Sequence, residues 1–521
     1  MEVEIIATPE EIGRPGIARS AAWNYAGYAC EATVSLFLAA FVVRHVSVVE
    51  YGLFLFMAAL AGSLYLLDLG ISNLLVQTYV SAARDDSRQT LNNVLSTAFV
   101  TLAGLGAIGV AVLCAVSLAL PGPFHIPTIY LKEARIILVL AAFAVQASMS
   151  ATALDHIYQA FGRFDRLNQL QLIVLAARAV GTVVSLSAGY GVVTLAAIQV
   201  AVTLLRLLVL WLGLPSIALG ARLKLTQFDW TLLKNLLRNC GWSSLDDVSA
   251  HLANVSDQAI LGAFSSMGAV AMFGVGGKLP RQIESLVVKG TVVTLPSLSW
   301  HHLNADEVRL RTLFGNAHRL IFTAVLPVVV LGCVCARPLL ELWAGIDYVD
   351  AAPVMRWLLI ATFSVVIYYP SDLLLYARGQ VKTSARIRAC LSLANIAVSV
   401  LLVSRLGAVG LAIGTAVTHA LFNLSWYTPS ACRAAGMSLG ALTKAVIKGT
   451  GIQVCLLGAE VGLLCVLLPL LTPAWFVLTG ITCGIAYLAL WAVQTAIPMW
   501  RDERVRPSVL AVAHSQSPEA F

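Results

Sequence analysis

The chain is short of charge. Asp, Glu, Lys and Arg make up only 12% of its 521 residues, about half the ~25% of an ordinary soluble domain, which excludes a soluble globular protein. It also lacks the alternating ten-residue segments of an outer-membrane barrel. Its ten cysteines form no CxxC pair, so neither a zinc site nor a disulfide framework is expected. They lie in or beside apolar runs and read as small packing residues. The start is acidic (Glu2, Glu4, Glu10, Glu11) where a cleavable signal peptide needs a basic segment, so the first apolar run is expected to stay as an anchor. No loop is long enough to fold as a separate soluble domain.

What is present is hydrocarbon. The chain is 59% hydrophobic, with a mean hydropathy of +0.83, and runs of about 20 apolar residues recur along it. An all-α polytopic protein of the inner (cell) membrane is expected, with about 14 transmembrane helices. The spans fall near 21–43, 51–75, 94–120, 134–157, 169–188, 191–214, 241–263, 268–298, 313–335, 354–377, 387–404, 408–430, 446–468 and 474–497. The net charge of +7 then reports on topology, since Lys and Arg gather on the cytoplasmic side. With the N-terminus inside, 22 of the 34 basic residues fall on inner segments or within three residues of them in the adjoining span ends, and six on or as near to outer ones, so both termini are expected in the cytoplasm.

The chain repeats itself. Asp155-His-Ile-Tyr-Gln-Ala160-Phe-Gly162 matches Asp372-Leu-Leu-Leu-Tyr-Ala377-Arg-Gly379 at an offset of 217, and Gly191-Val-Val-Thr-Leu-Ala196 matches Gly407-Ala-Val-Gly-Leu-Ala412 at 216. Six spans separate the copies. An even number preserves orientation, so two six-helix lobes related about the membrane normal are expected. The division is 1–20 cytoplasmic tail, 21–215 N-lobe, 216–240 amphipathic cytoplasmic linker and 241–430 C-lobe. A cytoplasmic loop at 431–445, two further spans at 446–497 and a tail at 498–521 complete it.

Enzyme motifs fail on context. Gly104-Leu-Gly106-Ala-Ile-Gly109 matches a dinucleotide fingerprint but sits inside an apolar run with no strand before it. Gly436-Met-Ser438-Leu-Gly440 lacks the strand–turn–helix of a nucleophile elbow. No metal-ligand or catalytic-triad spacing is found, so no catalytic residue, metal, cofactor or nucleic-acid partner is expected.

Ionisable residues within spans are expensive, about 2.5–3.5 kcal/mol each at a helix centre, and face a cavity or a partner. On the eighth span Lys278, Arg281 and Lys289 share an arc of about 80°, and Lys278 lies about 15 Å in from the outer end. Arg178 is equally central on the fifth. These four are candidates for a cationic, substrate-binding cavity; the alternative is pairing with Glu284 or seventh-span acids, and snorkelling of Lys289. Glu31, Asp246, Asp247 and Asp257 are candidates for ion coupling, with interlobe hydrogen bonding as the alternative. The seventh span adds a polar stripe, Asp247, His251, Asn254 and Gln258. Asp68, Asp155 and Asp372, at inner span ends, are expected to cap or gate. Glu460 has no assigned role.

Three stretches carry a resemblance. Val49-Glu-Tyr51-Gly52-Leu-Phe with Leu67-Asp68-Leu-Gly70-Ile is similar to the opening of Wzx-type polysaccharide flippases. Asp257-Gln-Ala-Ile-Leu-Gly262 and Leu295-Pro296-Ser-Leu-Ser resemble the start of their second half. Pro338-Leu-Leu-Glu-Leu-Trp343-Ala-Gly345, followed by Ala351-Ala-Pro353-Val-Met-Arg, is the most specific match. The resemblance covers about residues 20–430 and implies the multidrug/oligosaccharidyl-lipid/polysaccharide exporter superfamily. It further implies two lobes in alternating access around a cavity, and flipping of an undecaprenyl-diphosphate-linked oligosaccharide across the inner membrane. Implied partners are that lipid-linked substrate, membrane lipids, a coupling proton or sodium ion, and polysaccharide polymerase or export proteins. Competing readings are a cation-coupled multidrug exporter of the same fold and a lipid II flippase. A membrane glycan polymerase or ligase fits least, because the outer loops are short.

Overall fold

The computed structural model describes residues 15–491 except 69, 85–87, 121–123, 125, 218–220, 293, 449 and 468–471, and every regular element among them is a helix. Most of the expected N-terminal tail, the whole C-terminal tail and the end of the last expected span lie outside the described residues. The first half contains α1 (Pro15–His45), α2 (Val48–Gly62), α3 (Ile71–Arg84), α4 (Arg88–Ala119), α5 (Leu131–Ala160), α6 (Phe164–Ser187) and α7 (Val192–Ile217). The second begins with α8 (Trp230–Phe264), α9 (Met267–Gly276), α10 (Lys278–Val292), α11 (Leu295–Leu303) and α12 (Glu307–Val334). It continues with α13 (Ala336–Trp343), α14 (Ala352–Ala377), α15 (Val381–Phe422) and α16 (Thr428–Ala434). Then come α17 (Leu439–Ile447), α18 (Gly451–Leu467) and α19 (Pro473–Trp491), of which α18 and α19 pack on α12.

Eight stretches among the described residues are long and apolar enough to cross a bilayer unaided. Most of the other expected spans differ for visible reasons. Residues 381–434 count as one stretch because the chain reverses at Gly407 (φ 55) within continuous helical pattern. The seventh span is interrupted by Asp246, Asp247 and Asp257, and α18 and α19 are short. The second and eighth spans are broken rods. In the second, α2 passes through a 3-10 turn (Ser63–Asp68) before α3; in the eighth, α9, α10 and α11 follow one another.

The repeat is written into the backbone. Gly162 (φ 67) and Gly379 (φ 68) stand 217 residues apart, each just past a helix end. Gly162 N–H donates to the Gln159 carbonyl and Arg163 N–H to Tyr158, both at 2.9 Å; Gly379 donates to Tyr376 at 2.9 Å and Gln380 to Leu375 at 2.8 Å. This is one helix-ending bond pattern used twice, and its left-handed residue is one that glycine tolerates without a Cβ penalty. The broken rods match too, since α2 and α9 both start on a serine cap. Ser47 Oγ accepts from Glu50 N–H at 3.3 Å, with the Glu50 carboxylate accepting from Ser47 N–H at 3.0 Å, and Ser266 Oγ accepts from Ala269 N–H at 3.2 Å.

The halves meet along a seam where α2 lies on α9, α2 and α3 on α8, and α1 on α10. At its tightest point the α2 backbone touches α9, since a Cβ on Gly52 would collide with the Met267 carbonyl. The connection between halves is not a free strand. Arg222 N–H donates to Asn92 Oδ1 (2.9 Å), Lys224 N–H to Ser96 Oγ (3.1 Å) and Asp229 N–H to Thr97 Oγ1 (2.9 Å), so residues 222–229 are clipped along α4. Asp229 then caps α8 by accepting from Thr231 and Leu232 N–H. The second part of the expected 216–240 linker is therefore the first three turns of α8, because a good cap starts that helix early.

Candidate functional site

Charge is gathered at three places in the interior. The first is a buried knot in the second half. Arg388 on α15 stands between two carboxylates, with Nε 2.7 Å from Asp246 Oδ1 and an Nη 2.7 Å from Asp372 Oδ2. Asp372 Oδ1 also accepts from Ser384 Oγ at 2.5 Å and from the Tyr427 hydroxyl at 2.9 Å, while Tyr376 donates to Asp246 Oδ2 at 2.7 Å. Asp246 and Asp372 are 6% and 4% exposed, so their charge is balanced by the guanidinium and these hydroxyls instead of by water.

The second place is the equivalent level of the first half. Arg206 on α7 donates twice to Asp155, at 2.9 and 3.0 Å, and once to Gln171 Oε1 at 2.9 Å. Gln171 in turn reaches Glu31 Oε1 at 3.5 Å. One acid pair in this set, Asp155 and Asp372, holds matching positions in the two halves, and each member is engaged by an arginine from a neighbouring helix.

The third place lies where the halves meet. Lys278 is within electrostatic reach of Arg281 on its own helix and of Arg178 on α6, and Arg178 is within reach of Glu31. Among the described residues none of Arg178, Lys278 and Arg281 forms a salt bridge. Arg281 is exposed although its helix lies at the seam. It also lines a cavity of about 160 Å³ inside the second half, bounded by α8, α9, α10, α14 and α15, together with Asp257, Glu284, Arg388, Asn395 and His419; of the four cations expected in one cavity it alone is in this lining. Glycine at 277 leaves room for the arginine, since a Cβ there would stand 2.9 Å from an Arg281 Nη.

The other expected residues are spread more widely. Lys289 is half-buried on α10, outside the cavity lining. Asp68 ends the 3-10 turn that breaks the second span. The side chains of Asp247 and Asn254 lie outside the described residues, and His251 is exposed, its ring edge-on to Tyr65 at 6.0 Å. Glu460 on α18 faces Cys483 and Tyr487 of α19. Arg206 and Arg388 were not singled out from the sequence. The signal for both was available: each is a cation in an apolar run within reach of an Asp that the repeat had already paired. Among the described residues no cluster of three His, Cys, Asp or Glu is disposed to hold a metal ion.

Residues 41–353 match the model of a family described as polysaccharide biosynthesis protein. The chain belongs to that family. No curated protein matches it in sequence. Its fold is that of the multidrug/oligosaccharidyl-lipid/polysaccharide exporter superfamily. An inward closed structure of the lipid II flippase MurJ superposes with a TM-score of 0.67 at 15% identity, covering 89% of this chain and 98% of that one. An inward-facing multidrug resistance MATE family transporter gives 0.62 at 17%, covering 81% and 95%. A superfamily transporter from Pyrococcus furiosus, described as having reversed polarity in its binding pocket, gives 0.55 at 16%, covering 82% and 96%. At these identities the likeness is one of fold. Family, fold and apolar helices together make the chain a multi-pass membrane protein of polysaccharide biosynthesis.

Proposed function

We propose that this chain flips an undecaprenyl-diphosphate-linked oligosaccharide from the cytoplasmic to the periplasmic leaflet of the inner membrane, for export of a surface polysaccharide, by alternating access of its two halves. The observation that carries this reading is the approach of Arg178 from one half to Lys278, itself beside Arg281, from the other, with no salt bridge to any of the three among the described residues. A diphosphate suits such a cluster, because arginine offers a planar fork to two oxygens and lysine a point charge. Passage through a hydrated interior also spares the sugar hydroxyls an unpaired encounter with hydrocarbon. The chain forms and breaks no covalent bond on its cargo. Its halves are the N-lobe 21–215 and the C-lobe 241–430, with both termini cytoplasmic. The test is flipping of a fluorescent undecaprenyl-diphosphate oligosaccharide in proteoliposomes. Protection of the label from an external quencher is expected to change with Arg281→Ala, and an unchanged rate would remove the cationic-cavity reading.

A second element of the proposal is coupling. Asp257 lines the cavity beside Arg281 and Glu284, and Glu31 is joined through Gln171 to the Arg206–Asp155 pair. Uptake of a proton or sodium ion at Asp257 would change the charge of the cavity inside the second half, and uptake at Glu31 that of the first-half network. A multidrug exporter of the same fold is the competing reading. The excess of acids around the knot favours it, and competition by lipophilic cations in the same flipping assay separates the two.

A further inference from the structure

The most specific family-like motif, Pro338-Leu-Leu-Glu-Leu-Trp343-Ala-Gly345, takes no part in the charged interior. It forms α13, in the connection between α12 and α14, and its C-terminal end reaches across the seam. Trp343 Nε1 donates to the Leu36 carbonyl of α1 at 3.1 Å. Arg44, in the last turn of α1, donates through its guanidinium to the Leu342 carbonyl. Gly345, at φ 104, then turns the chain so that Tyr348 meets Tyr51 of α2 edge-on, with centroids 6.5 Å apart. All three contacts join one loop of the second half to the first half. All lie at the end of the seam where α1 stops, α2 starts and Met267 touches Gly52.

The chemistry is that of helix ends. Leu342 belongs to the last turn of α13, whose carbonyls have no partner within the helix, and Arg44 supplies one. Leu36 lies nine residues before the end of α1, about 13 Å along it, so Trp343 is inserted beside that helix and is not resting on its tip. The same short helix also packs on α19. Beside the Trp343 and Arg44 bonds, the close approach of Gly52 to the Met267 carbonyl and the Tyr51–Tyr348 edge contact are apolar or backbone contacts that separate without a directional bond to break.

We infer that α13 is a latch: the Trp343–Leu36 and Arg44–Leu342 bonds hold the two halves shut at the Ser47 and Ser266 end, and both must release for that end to open. The inference rests on the alternating-access reading only in requiring that the end opens, and not on what is carried. It is tested by hydroxyl-radical footprinting of the full chain in nanodiscs, comparing wild type with Trp343→Phe and Arg44→Gln. Trp343→Phe keeps the ring and loses the N–H; Arg44→Gln removes the second bond if the first variant fails to fold. Met267 and Tyr51 are 2% and 7% exposed, and Tyr79 and Tyr427, inside the individual halves, are fully buried. Losing one hydrogen bond of ordinary strength should raise the open fraction about fivefold. Oxidation of Met267 and Tyr51 is expected to rise by that factor while Tyr79 and Tyr427 stay at wild-type levels. Wild-type oxidation at Met267 and Tyr51, or an equal rise at all four residues, overturns the latch. Absence of lipid flipping alongside the expected footprint would instead remove the cargo reading and leave the latch standing.

Discussion

Arg388 stands in the second half at the position that Gln171 holds in the first, 217 residues earlier. The aspartates they serve, Asp155 and Asp372, are equivalent, yet the cation comes from α7 in one half and α15 in the other. Gln171 still takes part in the first-half pair, its Oε1 accepting from Arg206 at 2.9 Å. The second half adds Asp246 to the arrangement, so there a single arginine balances two carboxylates. Removing Arg388 should therefore cost more than removing Arg206. Breaking a buried pair costs about 3–5 kcal/mol, and Arg388→Met is expected to lie at or beyond the top of that range. Thermal unfolding in detergent would show it as the larger drop in melting temperature, and an equal or smaller drop than Arg206→Met would contradict the two-carboxylate account.

The cationic cluster makes a graded prediction for transport. Arg281→Ala is expected to lower the flipping rate at least tenfold and Arg281→Lys to retain part of it, since one charged hydrogen bond contributes about 1.5–3 kcal/mol. Arg178→Ala and Lys278→Ala should each fall between these. Initial rates in proteoliposomes decide the order. If lysine at 281 is as poor as alanine, point charge is not what the site offers.

Coupling is read with imposed gradients. Vesicles carrying Glu31→Gln or Asp257→Asn are compared with wild type under a proton or a sodium gradient. A folded variant that still transports but no longer responds to the gradient identifies its carboxylate as the coupling group. Full gradient response in both variants excludes both.

Topology can be checked independently of function. Reporter fusions after residues 225 and 521 should both score cytoplasmic, following the excess of basic residues on inner segments. A periplasmic signal at either position reverses the orientation.

The repeated helix end gives a stability test. Nothing lies within 4 Å of a Cβ built on Gly162 or Gly379, so alanine there meets no clash and only the cost of its left-handed backbone. Each substitution is expected to destabilise by about 1–2 kcal/mol. Gly379→Asn should lose less, because asparagine visits that region more readily. Denaturant or thermal unfolding would expose a failure if alanine were neutral.

How much of this was legible beforehand follows from what each signal encodes. The all-helical character and the two halves were readable because apolar length and a repeated Asp…Ala…Gly pattern are properties of the chain alone. The early start of α8 was missed, since Asp229 acts as a cap only once its side chain turns to Thr231. The eight self-sufficient spans among the described residues fall short of the expected fourteen in part because 381–434 runs as one stretch across Gly407, the seventh span carries three aspartates, the eighth is broken into α9, α10 and α11, and α18 and α19 are short. Among the charges, membrane depth and helical spacing group Arg178, Lys278, Arg281 and Lys289 in one cavity; Lys278 does lie within electrostatic reach of Arg281 and Arg178, whereas Lys289 stands apart from the cavity that Arg281 lines. Spacing could not show that Arg206 and Arg388 take up Asp155 and Asp372, because partners across helices leave no mark in it.

The clipped connection has a mechanical consequence. Three bonds from backbone N–H groups to side chains of α4 fasten residues 222–229, and α8 then runs unbroken for 35 residues from Trp230, about 50 Å at 1.5 Å per residue. Such an arrangement is a crank on a fixed bearing. A rotation of a few degrees at Asp229 sweeps the far tip of α8, where Ser265 and Ser266 hand the chain to α9, through several ångströms. The piece that joins the halves in sequence can thereby carry motion at one face of the molecule to the latch at the other.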